Sequence, residues 1–396
     1  MLGWLKRNKK PRQGVSTCIL PDELVVDILC RLPLKSICRF KCVCKSWLAF
    51  SSHPYYRQKL PRTPMGLLYQ KCEPGRFPWS LGTDIHLVRL PASDKEIDTR
   101  LNFVPPCYKY SKLQDCSNGL LLCYQGGNNN EAFSNAIVCN PATKEWTAIP
   151  NTEPGLPVYT TDLILCFDPL WSQHFYVFKF QYIPNMTPHV GTTTAVEVFF
   201  SENSSWSGCL WETEHAYVDD TLFVNGVLYG VHLWGRKILA LDAPDKSSQW
   251  LNHRIIQLPG FTNGTNTINS WDGCLSQSSG VLCYAKQELD GSVVRIWSLE
   301  SPDRWVVKHR VSMTDVFGRG MLLSTYSDGY WYFDYDIMAF DLEREVVIIL
   351  DVKADKIISV SISSGKGLQF PKLPDSELHC ILFYVPYYGK VPALVR

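Results

Sequence analysis

Between Leu20 and Leu60 apolar positions recur every three or four residues, whereas beyond Pro64 they come in short runs separated by Gly, Asn, Asp, Pro and Ser. The first texture predicts helices and the second a region of many strands. In the segment Leu20-Pro21-Asp22-Glu23-Leu24-Val25-Val26-Asp27-Ile28-Leu29-Cys30-Arg31-Leu32-Pro33, the side chains of Leu24, Val25, Ile28, Leu29 and Leu32 form one apolar stripe. Pro21 suits a first helical position, and Asp22 and Glu23 put negative charge where the helix dipole favours it. Pro33 stops the helix. A second helix places Phe40, Val43, Trp47 and Phe50 on one face, with Lys35, Arg39 and Lys45 elsewhere, and ends at His53-Pro54. Tyr55, Tyr56 and Leu60 predict a short third helix.

Three helices this short offer more apolar surface than they can bury among themselves, because domains of this size are marginal without help. The surplus surface either caps the domain that follows or receives a partner. Residues 20–60 resemble an F-box, in the form Leu-Pro-x-Glu-Leu…Ile-Leu-x-Arg-Leu-Pro…Ser-Ile-x-Arg…Cys-Val-Cys-Lys-x-Trp. The resemblance implies docking to a Skp-family adaptor and, through it, to a cullin-based ubiquitin ligase. It also implies the adaptor-binding residues: Leu20, Pro21, Leu24, Ile28, Leu32, Pro33, Ile37, Val43, Cys44 and Trp47.

The β-region carries an internal repeat. One half-motif is a Gly turn leading into a strand: Ser117-Asn118-Gly119-Leu120, Val224-Asn225-Gly226-Val227, Ser279-Gly280-Val281 and Ser327-Asp328-Gly329-Tyr330-Trp331. Asn-Gly and Asp-Gly supply the positive φ that tight hairpins require. The other half-motif is a strand, a polar turn and then often Trp. Its copies start at Ile137, Val196, Ile238 and Arg295 and lead to Trp146, Trp206, Trp250 and Trp305. A degenerate last copy, Ile337–Asp341, ends in Val346-Val347. The Trp spacings of 60, 44 and 55 lie near the roughly 50-residue kelch-type period.

Four-stranded blades stacked radially explain this texture, since each blade buries its faces on its neighbours. A sandwich of two Greek-key halves does not explain a pattern that recurs five times. Weak outer units at Gly66-Leu67-Leu68-Tyr69 and Ile381-Leu382-Phe383-Tyr384-Val385 bring the expected count to about six blades, with seven also compatible with the spacing. The tryptophans are expected to pack between blades. This region also resembles the F-box-associated domain of the large plant F-box families, on Asn118-Gly119-Leu120-Leu121, Asn140-Pro141-Ala142-Thr143-Lys144-Glu145-Trp146, Phe167-Asp168-Pro169 and Asn225-Gly226-Val227-Leu228-Tyr229. The expected organisation is a basic flexible tail over 1–14, an F-box helical module over 15–62, and a kelch-like β-propeller over 63–396. The fold class is therefore α plus all-β, with three N-terminal helices ahead of the propeller.

Charge sharpens this division. Residues 1–62 hold 13 Lys/Arg against 3 Asp/Glu, and the remainder 26 against 35, so the net charge of +1 combines a head of +10 with a body of −9. A basic head steers toward an acidic partner, and Skp-family adaptors are acidic. Nucleic-acid binding is not expected, because the head lacks interleaved aromatics and the body is acidic. No apolar run reaches the length of a membrane span, and none of the 15 Cys forms a Cys-x-x-Cys pair. A reduced intracellular protein, cytoplasmic and/or nuclear, is the expectation; Lys6-Arg7-Asn8-Lys9-Lys10-Pro11-Arg12 is either a nuclear address or a solvated tail. Cys38, Cys42 and Cys44 read as buried thiols beside apolar neighbours, not as metal ligands.

No phosphate-cradling loop, nucleophile elbow or His-Glu-x-x-His helix is present in the sequence. Neither a catalytic site, nor a metal site, nor a cofactor is expected. The leading expectation is the substrate-recognition subunit of a Skp–cullin–F-box ubiquitin ligase, holding an unknown target protein on the propeller. A propeller that binds a small molecule or sugar, with the F-box as readout, is the alternative, and exposed aromatics on one face would favour it. A kelch-type propeller enzyme is the third class. Loops at one rim, Gln125–Phe133 and Asn185–Thr194, are the default target-binding positions.

Overall fold

The computed structural model describes residues 21–32, 65–72, 81–90, 100–108, 111–125, 134–151, 160–169, 171–182, 192–213, 219–232, 237–243, 251–260, 273–302, 304–325, 331–369 and 378–391. The chain divides into two compact units, Met1–Arg62 and Thr63–Arg396.

In the first unit the described element is helix α1, Asp22–Arg31. Pro21 has the extended conformation of an N-cap (φ −56°, ψ 146°), and its carbonyl accepts from the amides of Leu24 and Val25 at 3.0 and 3.1 Å. Pro21 thus stands one position outside the helix instead of opening it. At the other end Leu32 is extended (φ −81°, ψ 147°), the conformation that a following proline imposes by clashing with the helical alternative. The expected apolar stripe divides in two. Val25 and Leu29 are buried, at 8% and 2% exposure, while Leu24 and Ile28 remain 51% and 43% exposed. Positions 24 and 28 and positions 25 and 29 form adjacent rows one residue apart, and only one row is covered. Pro33, the second and third helices, Leu20, Ile37, Val43, Cys44, Trp47 and the cysteines at 38 and 42 lie outside the described residues.

The second unit is a six-bladed β-propeller. Blade one is β25-β1-β2, where β25 (Leu378–Tyr384) is innermost, followed by β1 (Met65–Cys72) and β2 (Leu81–Leu90). Blade two runs outward through β3 (Lys112–Ser117), β4 (Leu120–Gln125), β5 (Ser134–Asn140) and β6 (Glu145–Ala148). Blade three follows as β7 (Thr160–Cys166), β8 (Tyr176–Tyr182), β9 (Thr192–Phe200) and β10 (Ser205–Thr213). Blade four is β11 (Asp219–Val224), β12 (Val227–His232), β13 (Lys237–Asp242) and β14 (His253–Gln257). Blade five is β15 (Cys274–Ser278), β16 (Val281–Gln287), β17 (Val293–Ser301) and β18 (Arg304–Ser312). After helix α2 (Thr314–Phe317) and a separate ribbon of β19 (Leu323–Thr325) and β20 (Trp331–Phe333), blade six is β21 (Tyr335–Asp341), β22 (Val346–Asp351), β23 (Lys356–Ser361) and β24 (Gly367–Gln369).

The innermost strands touch in the order β25, β3, β7, β11, β15, β21 and back to β25, which closes the ring. Closure joins the two ends of the unit, because β25 pairs antiparallel with β1 from Gly66↔Tyr384 to Lys71↔Leu378. One buried apolar cluster fills each of the six gaps between adjacent blades. The core of this unit is thus distributed around the ring, which is why strand after strand reads apolar on both faces.

The hairpin chemistry follows the sequence. Asn118 and Gly119 have φ of 44° and 85°, Asn225 and Gly226 of 50° and 79°, and Ser279 and Gly280 of 51° and 78°. All three turns join the first and second strands of a blade. At Gly226 the requirement is also spatial, since a Cβ there would lie 2.6 Å from the Trp171 ring.

The repeat reading fails in the last part of the chain. The other four copies of the strand-and-polar-turn motif are the third strands of their blades, but Ile337–Asp341 is β21, the innermost of its blade. The cause is a shared turn. Asn140 Oδ1 accepts from Ala142 N, and Lys144 is left-handed (φ 60°). Asp341 Oδ1 likewise accepts from Glu343 and Arg344, with Glu345 at φ 53°. One turn type closes two different hairpins, so the local pattern does not report position in the blade. The Asp328-Gly329 motif lies outside the described residues, in the stretch of sequence between the ribbon strands β19 and β20, which belong to no blade. The two weak outer units, at Gly66 and Ile381, are partners in the single blade that closes the ring.

Candidate functional site

Two surfaces carry the candidate function, one in each unit. On α1, Leu24 and Ile28 are one helical turn apart and both point to solvent. Asp27 and Arg31 form an exposed ion pair at 2.9 Å on the same helix. Pro21 is exposed and Leu32 half-buried. Of the ten expected adaptor contacts these four are described, and Leu24 and Ile28 present the larger uncovered apolar area.

In the propeller, polar side chains tie successive blades together from blade one to blade six. Inner strands of neighbouring blades do not share a ladder, so their inward-facing backbone groups need other partners. Gln70 supplies one set, accepting from Leu113 N at 2.9 Å and donating to Ser111 O at 3.1 Å. Asp115 Oδ2 accepts from Leu165 N at 2.7 Å, and Asp220 Oδ2 accepts from Leu275 N at 2.6 Å. Ser276 donates to Phe340 O at 2.8 Å. Asp115 lies deep among the inner strands, and burial raises its pKa to about 6 against the opposing pull of the Leu165 and Cys116 amides. These groups are structural: apart from the Cys116 amide on Asp115, every contact named is to another blade's backbone.

The described tryptophans of the repeat behave as expected, and Trp250 lies outside the described residues. Trp206 donates to Pro150 O at 2.7 Å and Trp305 to Gln257 O at 2.8 Å, in each case reaching the preceding blade. Trp146 packs in the cluster between blades one and two, 5.5 Å from Tyr108. Two described tryptophans are exposed instead, Trp171 and Trp331. Trp171 follows β7 and lies over the β11–β12 turn, whereas Trp331 stands on the ribbon between blades five and six. These are opposite ends of the strands, so the exposed rings do not share one face as a sugar platform would need.

The connections from second to third strands and from blade to blade emerge at the end of the propeller opposite the Asn-Gly turns. The loops at Gln125–Phe133 and Asn185–Thr194 start and finish at that end, though most of their residues lie outside those described. At this end blades five and six carry a described cluster of charged side chains. There Asp334 is closed to solvent and pairs with Arg319 at 2.5 Å and Lys353 at 3.0 Å. Burial works to raise its pKa, but the Ser324 hydroxyl, Lys353 and Arg319 outweigh that and hold the carboxyl below its ordinary value. Tyr335 is buried beneath, donating to Gly291 O at 2.8 Å and stacked on Phe317 at 5.4 Å. No sequence signal singled out this corner, because its residues come from three separate connections.

Among the described residues no group of three or more His, Cys, Asp or Glu is placed to hold a metal ion. Cys123, Cys139, Cys166, Cys274 and Cys283 are buried thiols. No described helix is long and apolar enough to cross a membrane.

A half-uncovered apolar helix ahead of a closed propeller is the arrangement of an F-box and β-propeller protein, and the family models make the assignment. The family model for the F-box domain matches residues 18–59, and the one described as F-box protein At3g26010-like, beta-propeller, matches residues 94–330. The chain belongs to this plant-type F-box family. F-box protein At5g49610 of Arabidopsis thaliana is 25% identical over 76% of this chain and 81% of its own. F-box protein At1g53790 of the same plant is 25% identical over 89% of this chain and 82% of its own. Among solved structures, a periplasmic gluconolactonase of Pseudomonas aeruginosa aligns with 82% of this chain and 100% of its own, at a TM-score of 0.42 and 12% identity. F-box domains in general bind Skp-type adaptors, and proteins of this kind are typically adaptors themselves. The propeller is identified by its F-box family model, so the kelch-type period adds nothing to the assignment.

Proposed function

We propose that this chain is the substrate-receptor subunit of a Skp–cullin–F-box ubiquitin ligase. The observation that carries the reading is the divided stripe of α1. Val25 and Leu29 are used by the fold, while Leu24 and Ile28 are left half-exposed in a segment that matches the F-box. Exposed Leu and Ile on adjacent turns are ready anchors for a helix-packing partner. The full adaptor contact comprises Leu20, Pro21, Leu24, Ile28, Leu32, Pro33, Ile37, Val43, Cys44 and Trp47.

The cullin joins through the adaptor, and the propeller holds a target protein. Catalysis in such a complex is proximity: the receptor raises the concentration of the target's lysine near the charged conjugating enzyme. The chain itself contributes binding and no bond-making group, and the complex works in the cytoplasm, the nucleus or both. The test is co-purification of the full chain with a Skp-family adaptor, beside a chain limited to residues 63–396. Adaptor retention by the full chain alone supports the reading. A folded full chain that retains no adaptor overturns it and leaves the helical unit as a structural cap.

A further inference from the structure

One turn of the propeller is longer than its counterparts. The first and second strands of blades two, four and five are joined by two residues each, Asn118-Gly119, Asn225-Gly226 and Ser279-Gly280. In blade three the same connection, between β7 and β8, runs from Phe167 to Phe175, and all of it but Leu170 is described. The added residues are held in place. Asp168 O accepts from Trp171 N at 3.1 Å and from Ser172 N at 2.9 Å, and Ser172 Oγ accepts from His174 N at 3.0 Å. Phe175 exchanges two hydrogen bonds with Ser201 of the β9–β10 turn, at 2.9 and 3.1 Å. Asp168 Oδ2 accepts from Asn225 N at 2.8 Å, which ties the turn to blade four. Extra loop residues on a rigid scaffold are where binding groups concentrate.

The turn presents Trp171, which is 43% exposed and yet fixed. Its ring lies 5.8 Å from Tyr176 and 5.7 Å from Phe223, and it closes over Gly226, which has no Cβ to push it away. Trp206 and Trp305 use their indole N–H groups to bind the preceding blade. The indole N–H of Trp171 has no acceptor among the described residues. A large ring already held in one position loses little freedom when a partner covers it.

The charges beside the ring are negative. Burial, and after it the Glu202 carboxylate, raise the pKa of the Tyr176 hydroxyl, which sets Glu202 next to the aromatic pair. Glu202 is exposed, and Asp168 is buried at the start of the turn. Asp242 and Arg254 belong to the other face of blade four, where both act on Tyr229 and offset each other. The remaining described cations of this end stand elsewhere: Lys144 on blade two, Lys390 on the segment after β25, Arg304 and Lys308 on blade five, Arg344 and Lys366 on blade six. Residues 244–250, outside those described, hold one Asp and one Lys and add no net charge. With His174 counted neutral, Asp168 and Glu202 have no described cation beside them to balance their charge.

We propose that this corner of blades three and four is a docking point for the target protein, and that it takes an arginine or lysine side chain of an exposed target segment. The inference rests on the substrate-receptor reading above. The cationic group lies over the Trp171 ring, whose π face attracts it, and the Glu202 carboxylate supplies the counter-charge. The indole N–H donates to a backbone carbonyl of the same segment. An apolar segment would gain nothing from Glu202, and an acidic one would meet like charge.

The probe is a display library of short randomised peptides, selected on the purified full chain at physiological salt. That salt screens the net −9 of the body, so general attraction does not retain basic peptides. The expected pool is enriched in Arg and Lys. Its best members lose about ten-fold or more in affinity with Trp171→Ala, and severalfold with Glu202→Gln. Trp171→Phe keeps a ring on Gly226 and is expected to weaken binding severalfold, so it carries the test if the alanine variant does not fold. Trp331→Ala, at the other end of the strands, leaves affinity unchanged. A pool without basic bias, affinity indifferent to the Trp171 and Glu202 variants in folded protein, or no enrichment overturns the inference. Adaptor binding is read on the same preparations. If the adaptor binds and no peptide is enriched, the docking point fails and the ligase reading stands. If peptides bind at Trp171 and the adaptor does not bind, the ligase reading fails and the docking point stands.

Discussion

Asn140 donates through Nδ2 to the carbonyl of Tyr387 at 2.8 Å, across 247 residues of sequence. The same amide reaches Gly389 O at 3.3 Å, and its Oδ1 accepts from Ala142 N. Asn140 is fully buried, so each of these groups would otherwise be stranded. Val391 N donates to Glu145 Oε2 beside it, and Tyr387 packs edge-on to Phe167 at 5.0 Å. The segment after β25 is thereby latched across blades two and three, one blade beyond the strand pairing that closes the ring. Gly119 makes room for it, since a Cβ there would meet Val385 O and Tyr387 N at 2.5 Å.

Asn140→Ala removes this latch while leaving the β1–β25 pairing in place. Each buried partner left without a hydrogen bond costs about 1–3 kcal/mol. A loss of about 2 kcal/mol or more is expected in urea unfolding followed by circular dichroism. Asn140→Asp, which turns a carboxylate oxygen toward the Tyr387 and Gly389 carbonyls in a buried site, should cost at least as much as the alanine variant.

Stability should depend on pH through Asp115. Its folded-state pKa is raised from 3.8 to about 6 by burial, so between those values the native protein binds the proton more tightly than the unfolded chain. The stabilisation is complete below the unfolded value and is lost as pH rises through the folded one. Two pH units correspond to about 3 kcal/mol at most. Asp336, also raised by burial, acts in the same direction. Urea titrations at intervals from pH 4 to pH 7 are expected to show a shallower decline in Asp115→Asn than in the native chain.

The two rows of α1 should separate under mutation. Leu24→Ala with Ile28→Ala removes exposed anchors, and a central anchor is worth about 2 kcal/mol of binding. Adaptor affinity should drop with little change in helicity. Leu29→Ala instead empties a buried position and should lower the stability of the helical unit by about 2–5 kcal/mol. Isothermal titration with the adaptor and thermal melts of the same proteins distinguish the two rows. Equal losses of binding and stability in both would contradict the division.

Trp206→Phe and Trp305→Phe each delete one indole hydrogen bond to the preceding blade while keeping most of the ring packing. A loss of about 1 kcal/mol apiece is expected. The sites lie in different blade interfaces and share no partner, so the double variant should show the sum. Marked non-additivity would mean that the two blade interfaces are energetically coupled.

Much of this protein is fixed by local rules that sequence exposes. The helix at Asp22–Arg31, the change from helical to strand texture, the Asn118-Gly119 and Asn225-Gly226 hairpins and the tryptophans between blades all follow from spacing, turn chemistry and side-chain size. The tertiary structure decided what those rules leave degenerate. The same Asx turn closes hairpins at different depths in a blade, so only the assembled ring shows Ile337–Asp341 to be an inner strand. Leu24 and Val25 are equally apolar and adjacent, and which one is covered depends on packing that a stripe does not encode. Blade closure by β25, the Asn140 latch and the Arg319–Asp334–Lys353 corner join residues tens to hundreds of positions apart. Periodicity reports the environment of a position along its own strand or helix. It carries no record of which distant segment supplies that environment, and in a closed ring the ends supply it to each other.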